Sequence, residues 1–198
     1  MRGCSRIIAH SSGSSAPGLF SIESGTATLP MSCSRPAHSR ISPCLASSRI
    51  RAAILTDSIL TRKRLEELAR NEPDFVRPIV LIQAESKDRE IPVQVVEKYL
   101  VEQGKIERDR IAIATGSQRE LDGVNLLDPS CKIDFVITIQ ALKEGWDCHF
   151  AYVLCSVAAV HSPKDVEQLL GRVLRMPYAK IRKHDDLNRA YAFVSKTC

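Results

Sequence analysis

Between Ile50 and Val194 the apolar residues follow two alternating rhythms, short unbroken runs and stripes of helical period. Ile54, Leu55, Ile59, Leu60, Leu65 and Leu68, spaced by Arg, Lys and Glu, predict a helix from about residue 50 to Glu72-Pro73. Pro78-Ile79-Val80-Leu81-Ile82-Gln83 is a continuous apolar run, the text of a strand buried on both faces of a parallel sheet. Pro92 opens a second helix through Val93, Val96, Tyr99 and Leu100, with Gly104 as its C-cap. Further strands are predicted at 110–114, 133–139, 152–156 and 190–194. Strands alternating with helices at this spacing predict an α/β domain, three-layered, with a mainly parallel sheet and helices on both faces.

The stretch Ser162-Pro163-Lys164-Asp165-Val166-Glu167-Gln168-Leu169-Leu170-Gly171-Arg172-Val173-Leu174-Arg175 predicts a helix with two distinct faces. Ser162 suits the N-cap, and Pro163 the first helical position, where its missing N–H is not needed. Val166, Leu169, Leu170, Val173 and Leu174 form one apolar stripe, while Gln168, Arg172 and Arg175 align on the opposite side. Gly171 lies beside that polar line; glycine costs roughly 1 kcal/mol in a helix interior, and close approach of another backbone or a ligand is the reason that fits. Two guanidiniums and an amide there suit an anionic, planar-oxygen partner such as phosphate. A solvated polar face is the plain alternative.

Composition changes this picture in one place. Residues 1–50 are rich in Ser, Arg, Pro and Gly and carry five arginines against Glu23 alone, so only +1 of the net +5 falls beyond them. Such text lacks the apolar surface to order itself. Residues 1–50 are therefore expected to be a disordered or foreign tail, with a transit peptide as an alternative, and 51–198 to be the domain. The overall basicity is accordingly no evidence for nucleic-acid binding. Seven cysteines show no C-x-x-C pair and no metal-ligand spacing to histidine, which predicts free thiols in a reducing compartment and no metal. The longest apolar run, Phe150 to Cys155, is far below the roughly 20 residues that span a bilayer, so a soluble, cytoplasmic protein is expected.

In open α/β sheets, ligands bind beyond the carboxyl ends of the strands. Thr115-Gly116 and Gln140-Ala141-Leu142-Lys143-Glu144-Gly145-Trp146-Asp147 follow predicted strands and are therefore placed for function. Gly145 permits positive φ or close approach, and Asp147 can accept hydrogen bonds from ribose hydroxyls or an arginine; a helix end with Trp146 in the core is the alternative. The phosphate loop G-x-x-x-x-G-K-S/T, the dinucleotide signature G-x-G-x-x-G and the hydrolase elbow G-x-S-x-G are all absent from the sequence.

Taken in order, Gln83-Ala84-Glu85, Ala114-Thr115-Gly116, Gln140 to Asp147 and Gln168 to Arg175 resemble the second RecA-like domain of superfamily-2 helicases. The last two stretches resemble helicase motifs V and VI in content and separation. The Glu144-Gly145-Trp146-Asp147 wording, with Arg119-Glu120-Leu121-Asp122-Gly123 upstream and Asn188 to Val194 downstream, is most similar to the Res subunit of type III restriction enzymes. The resemblance covers about residues 51–198. His149 departs from it, standing where the family usually carries proline.

This resemblance implies an ATP-dependent DNA helicase or translocase, of which this chain supplies the C-terminal half. It implies ATP with Mg²⁺ shared with a first RecA-like domain, which carries the phosphate loop, and a possible methyltransferase (modification) subunit as partner. Arg172 and Arg175 would be arginine fingers, with Gln168 as the motif's leading polar residue; Gly145, Asp147 and Gly171 would lie at the nucleotide. Gln83, Thr115, Gly116 and Gln140 would grip the nucleic-acid backbone. A fragment or truncated product, inactive alone, is expected. Another superfamily-2 motor acting in repair or on RNA, or a non-catalytic nucleic-acid-binding module, remains open.

Overall fold

The computed structural model describes residues 5–10, 22–25, 43–115, 120–139, 150–160 and 180–196, with side chains for 49–115, 120–139, 150–158 and 180–194. Its strands are β1 (Ser5–His10), β2 (Ile22–Gly25), β3 (Ile79–Gln83), β4 (Ile111–Ala114), β5 (Phe135–Thr138), β6 (Ala151–Val160) and β7 (Arg189–Lys196). They form one sheet in the order β2-β1-β7-β6-β3-β5-β4. The five strands from β7 to β4 are all parallel, whereas β1 and β2 join the β7 side antiparallel. The chain is thus an α/β protein with a mainly parallel sheet. β6 runs well past the predicted strand at 152–156, to Val160, with a register shift after Ser156.

Two helices, α1 (Pro43–Ala69) and α2 (Val93–Glu102), pack on one face of the sheet. α1 begins at Pro43, ahead of the boundary expected at residue 50, because proline is tolerated in a first helical turn. Ile54, Leu55, Ile59 and Leu65 of α1 and Val93, Val96 and Leu100 of α2 meet Val80, Ile82, Ile113, Phe135, Ile137 and Val153. Each such side chain contributes about 1.5–3 kcal/mol on burial. Leu60, which the helical pattern includes, faces water.

The opposite face carries Ile79, Leu81, Val136, Leu154, Ala192 and Val194, covered by Leu126 and Phe150 with Leu121 and Ile133 packed beside them. A crossover of constant hand explains the split. The α2 connection runs from β3 outward to β4, and the 120–134 connection runs back from β4 to β5. Reversing direction moves a right-handed connection to the other face.

The end of α2 differs in detail from the glycine C-cap expected. The Gly104 N–H donates to the Tyr99 carbonyl, and the positive φ of 55° falls on Lys105 instead. Gly104 is needed for space: a Cβ there would stand 2.6 Å from the Leu100 carbonyl oxygen.

Candidate functional site

Parallel strands bring their carboxyl ends to one edge, and the pairing register defines a row across it. Ala114, Thr138, Gln83, Ser156 and Val194 are successive partners on β4, β5, β3, β6 and β7. Alternation places the three polar members on the face away from the helices. Ile82 and Ala84 flank Gln83, Ile137 and Ile139 flank Thr138, and Cys155 and Val157 flank Ser156, and all six flanking residues belong to the helix-side core. The face opposite α1 and α2 therefore ends in a polar triplet, Thr138, Gln83 and Ser156, above the apolar band of Leu81, Val136 and Leu154.

Ser156 is buried and its Oγ donates either to Gln83 Oε1 or to the Ala158 carbonyl, each 3.1 Å away. Gln83 is half-buried, so its amide retains capacity for a further hydrogen bond. Thr138 is buried, and its carbonyl accepts the Ala84 N–H at 2.7 Å, which ties β3 to β5 at the rim. Thr115 follows β4 at the same edge and is half-buried. One step beyond the rim, Glu85 pairs with Arg51 of α1 at 3.5 Å and accepts the Ile91 N–H at 2.9 Å. That carboxylate is occupied in holding the turn into α2.

Gln83 ends β3 and Thr115 follows β4, so the two are brought to one edge. Gly116, Gln140, Gly145, Asp147, Gln168, Gly171, Arg172 and Arg175 lie outside the described residues. Thr138 and Ser156 were not singled out from the sequence. The available signal was weak: each is a lone hydroxyl near the end of an apolar run.

Other stretches that carry the family resemblance have structural duties. Asn188 accepts the Arg182 N–H at 2.7 Å and donates to the Arg182 carbonyl at 3.0 Å, closing the loop before β7. Glu72 accepts the N–H groups of Lys183 (3.0 Å) and His184 (3.3 Å), and Asp74 pairs with buried Arg182 at 3.0 Å. Hydrogen bonds from Lys180 and then Arg182 hold the Asp74 carboxyl below its ordinary range. His184 takes the N-cap position of the short 3-10 helix Asp185–Asn188.

The amino ends of the strands carry most of the buried charge. Asp134, just before β5, pairs with Arg62 of α1 at 2.6 Å and accepts from Arg110 Nε at 2.5 Å. Arg62 also reaches Glu66 at 3.0 Å and the Pro78 carbonyl at 3.1 Å, and stacks over Phe135. A cleft of about 630 Å³ opens beside them, lined by Glu66, Arg70, Asp74, Arg77, Lys132 and Asp134 among others. Two of its cations are already engaged: Arg77 donates to the carbonyls of Leu126, Asp128 and Cys131, and Lys132 pairs with Asp109. This cleft is at the wrong edge for the chemistry of an open parallel sheet.

Among the described residues no group of three His, Cys, Asp or Glu side chains is arranged to hold a metal ion; Cys131 is a free thiol and Cys155 is buried in the helix-side core. No helix of the described residues is long and apolar enough to cross a membrane. Comparison with protein-family models, curated proteins and solved structures returns no match.

Proposed function

We propose that this chain is the C-terminal, second RecA-like half of a cytoplasmic, ATP-dependent DNA helicase or translocase of the type III restriction Res kind. In this reading it binds DNA through its strand-end loops and meets ATP and Mg²⁺ only together with a first RecA-like domain. A modification methyltransferase is its further partner. The observation that carries the reading is the polar row Thr138–Gln83–Ser156, which gives the face opposite α1 and α2 a hydrophilic rim at its carboxyl edge. The motif-bearing stretches after β4, β5 and β6 all leave from strands that end at that edge.

Chain length supports the same assignment for the arginine-bearing stretch. From Val160 at the carboxyl edge the chain must return to Lys180, which pairs with Asp74 at the amino edge. A helix over 163–175 spans about 20 Å, the length of a six-residue strand. In the expected helix the apolar stripe Val166, Leu169, Leu170, Val173 and Leu174 and the polar line Gln168, Arg172 and Arg175 are opposite faces, and the polar one suits a neighbouring domain. Arg172 and Arg175 would then neutralise charge on the transferring phosphoryl group, Gly171 would allow close approach, and Gly145 and Asp147 would couple nucleotide to track. Gln83, Thr115, Gly116 and Gln140 would hold the phosphate backbone, contacts that carry no sequence information.

The test is a reconstituted motor with the first RecA-like domain fused or added. Arg172→Lys and Arg175→Lys keep the charge and lose the planar fork, so each is expected to lower ATP turnover by roughly 10³-fold or more. DNA affinity should change by less than about 1 kcal/mol, because a finger acts in the transition state. The isolated chain should show no DNA-stimulated ATPase. Intact turnover in both lysine variants, or turnover by the isolated chain, refutes the assignment.

A further inference from the structure

Among the described residues β4 is the outermost parallel strand and pairs only with β5, so no described strand lies on its other side. In a parallel strand, alternate residues turn both backbone groups to the same side, and on β4 Ile111 and Ile113 turn theirs outward. Two residues meet all four of these groups. The Ile111 N–H donates to the Arg108 carbonyl, and the Ile111 carbonyl accepts from Arg108 Nη1 at 2.6 Å. The Ile113 N–H donates to Glu120 Oε2 at 2.8 Å, and the Ile113 carbonyl accepts the Glu120 N–H at 3.1 Å. Glu120 thus presents one donor and one acceptor to Ile113, as a residue of a paired strand would. Arg108 Nη2 and Glu120 Oε1, 2.9 Å apart, then close the clasp, and Glu97 holds Arg108 Nε at 2.5 Å from the other side.

Without this clasp the edge would be Ile-Ala-Ile-Ala with unpaired outward groups, a template for strand addition. Its best partner is the same edge of another copy. Two copies related by a two-fold axis place β4 antiparallel to β4, and one contact satisfies both edges. We infer that Arg108 and Glu120 form an edge guard that blocks addition of a second copy of this chain to β4. Glu120 belongs to the stretch 119–123 that resembles the restriction subunit, but the guard rests on the hydrogen bonds at β4 and does not depend on the helicase reading.

The experiment uses the full chain and its Glu120→Ala, Glu120→Gln and Arg108→Ala variants. Sedimentation velocity over a concentration series is combined with hydrogen exchange of the Ile113 amide. Glu120→Ala is expected to self-associate at about tenfold lower concentration than the parent, the equivalent of one lost hydrogen bond. Its Ile113 amide should exchange about tenfold faster when dilute and regain protection when concentrated. Glu120→Gln, whose amide oxygen can accept the same N–H, should behave as the parent. If Glu120→Ala loses its circular dichroism signature, the comparison of Arg108→Ala with Glu120→Gln decides: association of the first alone supports the guard. Folded Glu120→Ala and Arg108→Ala that keep the parent's association curve overturn it. So does association in which the Ile113 amide stays unprotected.

Discussion

Removing the Asp134 carboxylate should destabilise the fold more than any change at the opposite edge of the sheet. Asp134 and Arg62 both have side chains 3% exposed and lie 2.6 Å apart. Breaking a buried pair by deleting one partner costs about 3–5 kcal/mol, because the remaining charge stays in a poorly solvated site. Two features move Asp134→Ala to the lower end. Arg110, the second cation on this carboxylate, is 37% exposed and can rehydrate. Arg62 keeps Glu66 and the Pro78 carbonyl. We expect a loss of about 3 kcal/mol in urea unfolding, or a fall of about 6–12 °C in midpoint for a chain of this size. Arg62→Met combined with Asp134→Ala should cost less than the sum of the single changes, since the double variant strands no charge. A loss below about 1 kcal/mol for Asp134→Ala, or strict additivity, would show that water reaches the pair and that burial does not set its worth.

Three further outcomes are expected. Burial pushes the Tyr152 phenol up to about 12, and burial followed by the charge of Asp186 does the same for Tyr191, against an ordinary value of 10.0. A raised acid favours the folded state below its unfolded pKa, so this stability is full below about pH 10 and is lost as pH rises toward 12. Tyr152→Phe and Tyr191→Phe should each flatten the alkaline limb of a stability profile, and an unchanged limb in both would refute the cause. Gly104→Ala forces a Cβ to 2.6 Å from the Leu100 carbonyl oxygen and 3.1 Å from Ile59 Cδ1 and Ile106 Cδ1. It should cost about 1–3 kcal/mol in urea unfolding, and a neutral result would mean that the turn relaxes freely. A chain beginning at Pro43 keeps the five parallel strands and both helices and should melt within a few degrees of the full chain; a larger drop would give the β1–β7 pairing a main share of the stability.

The strands β3, β4, β5 and β7 were legible because each is a short apolar run, and a run buried on both faces needs no tertiary information to stand out. The helix α2 was legible from Val93, Val96 and Leu100, whose spacing is that of one helical face. The strand order was not, because β3 lies between β5 and β6 only through pairings across the chain, and no local pattern encodes a register. The role of a charged residue was equally hidden. Arg62 and Arg51 have the same local text as the exposed Arg64 and Lys63 of α1, yet they are buried against Asp134 and Glu85. Glu120 belongs to a polar loop by every local measure and becomes half of an edge clasp only once β4 is outermost. Gln83 was placed correctly at a strand end from sequence. That Thr138 and Ser156 stand beside it followed from the pairing of three strands. Local sequence therefore determined which segments are strands and helices, because backbone geometry and apolar period are short-range properties. Tertiary structure decided which polar groups meet, since that depends on residues brought together from 73 positions apart, as Ser156 is to Gln83.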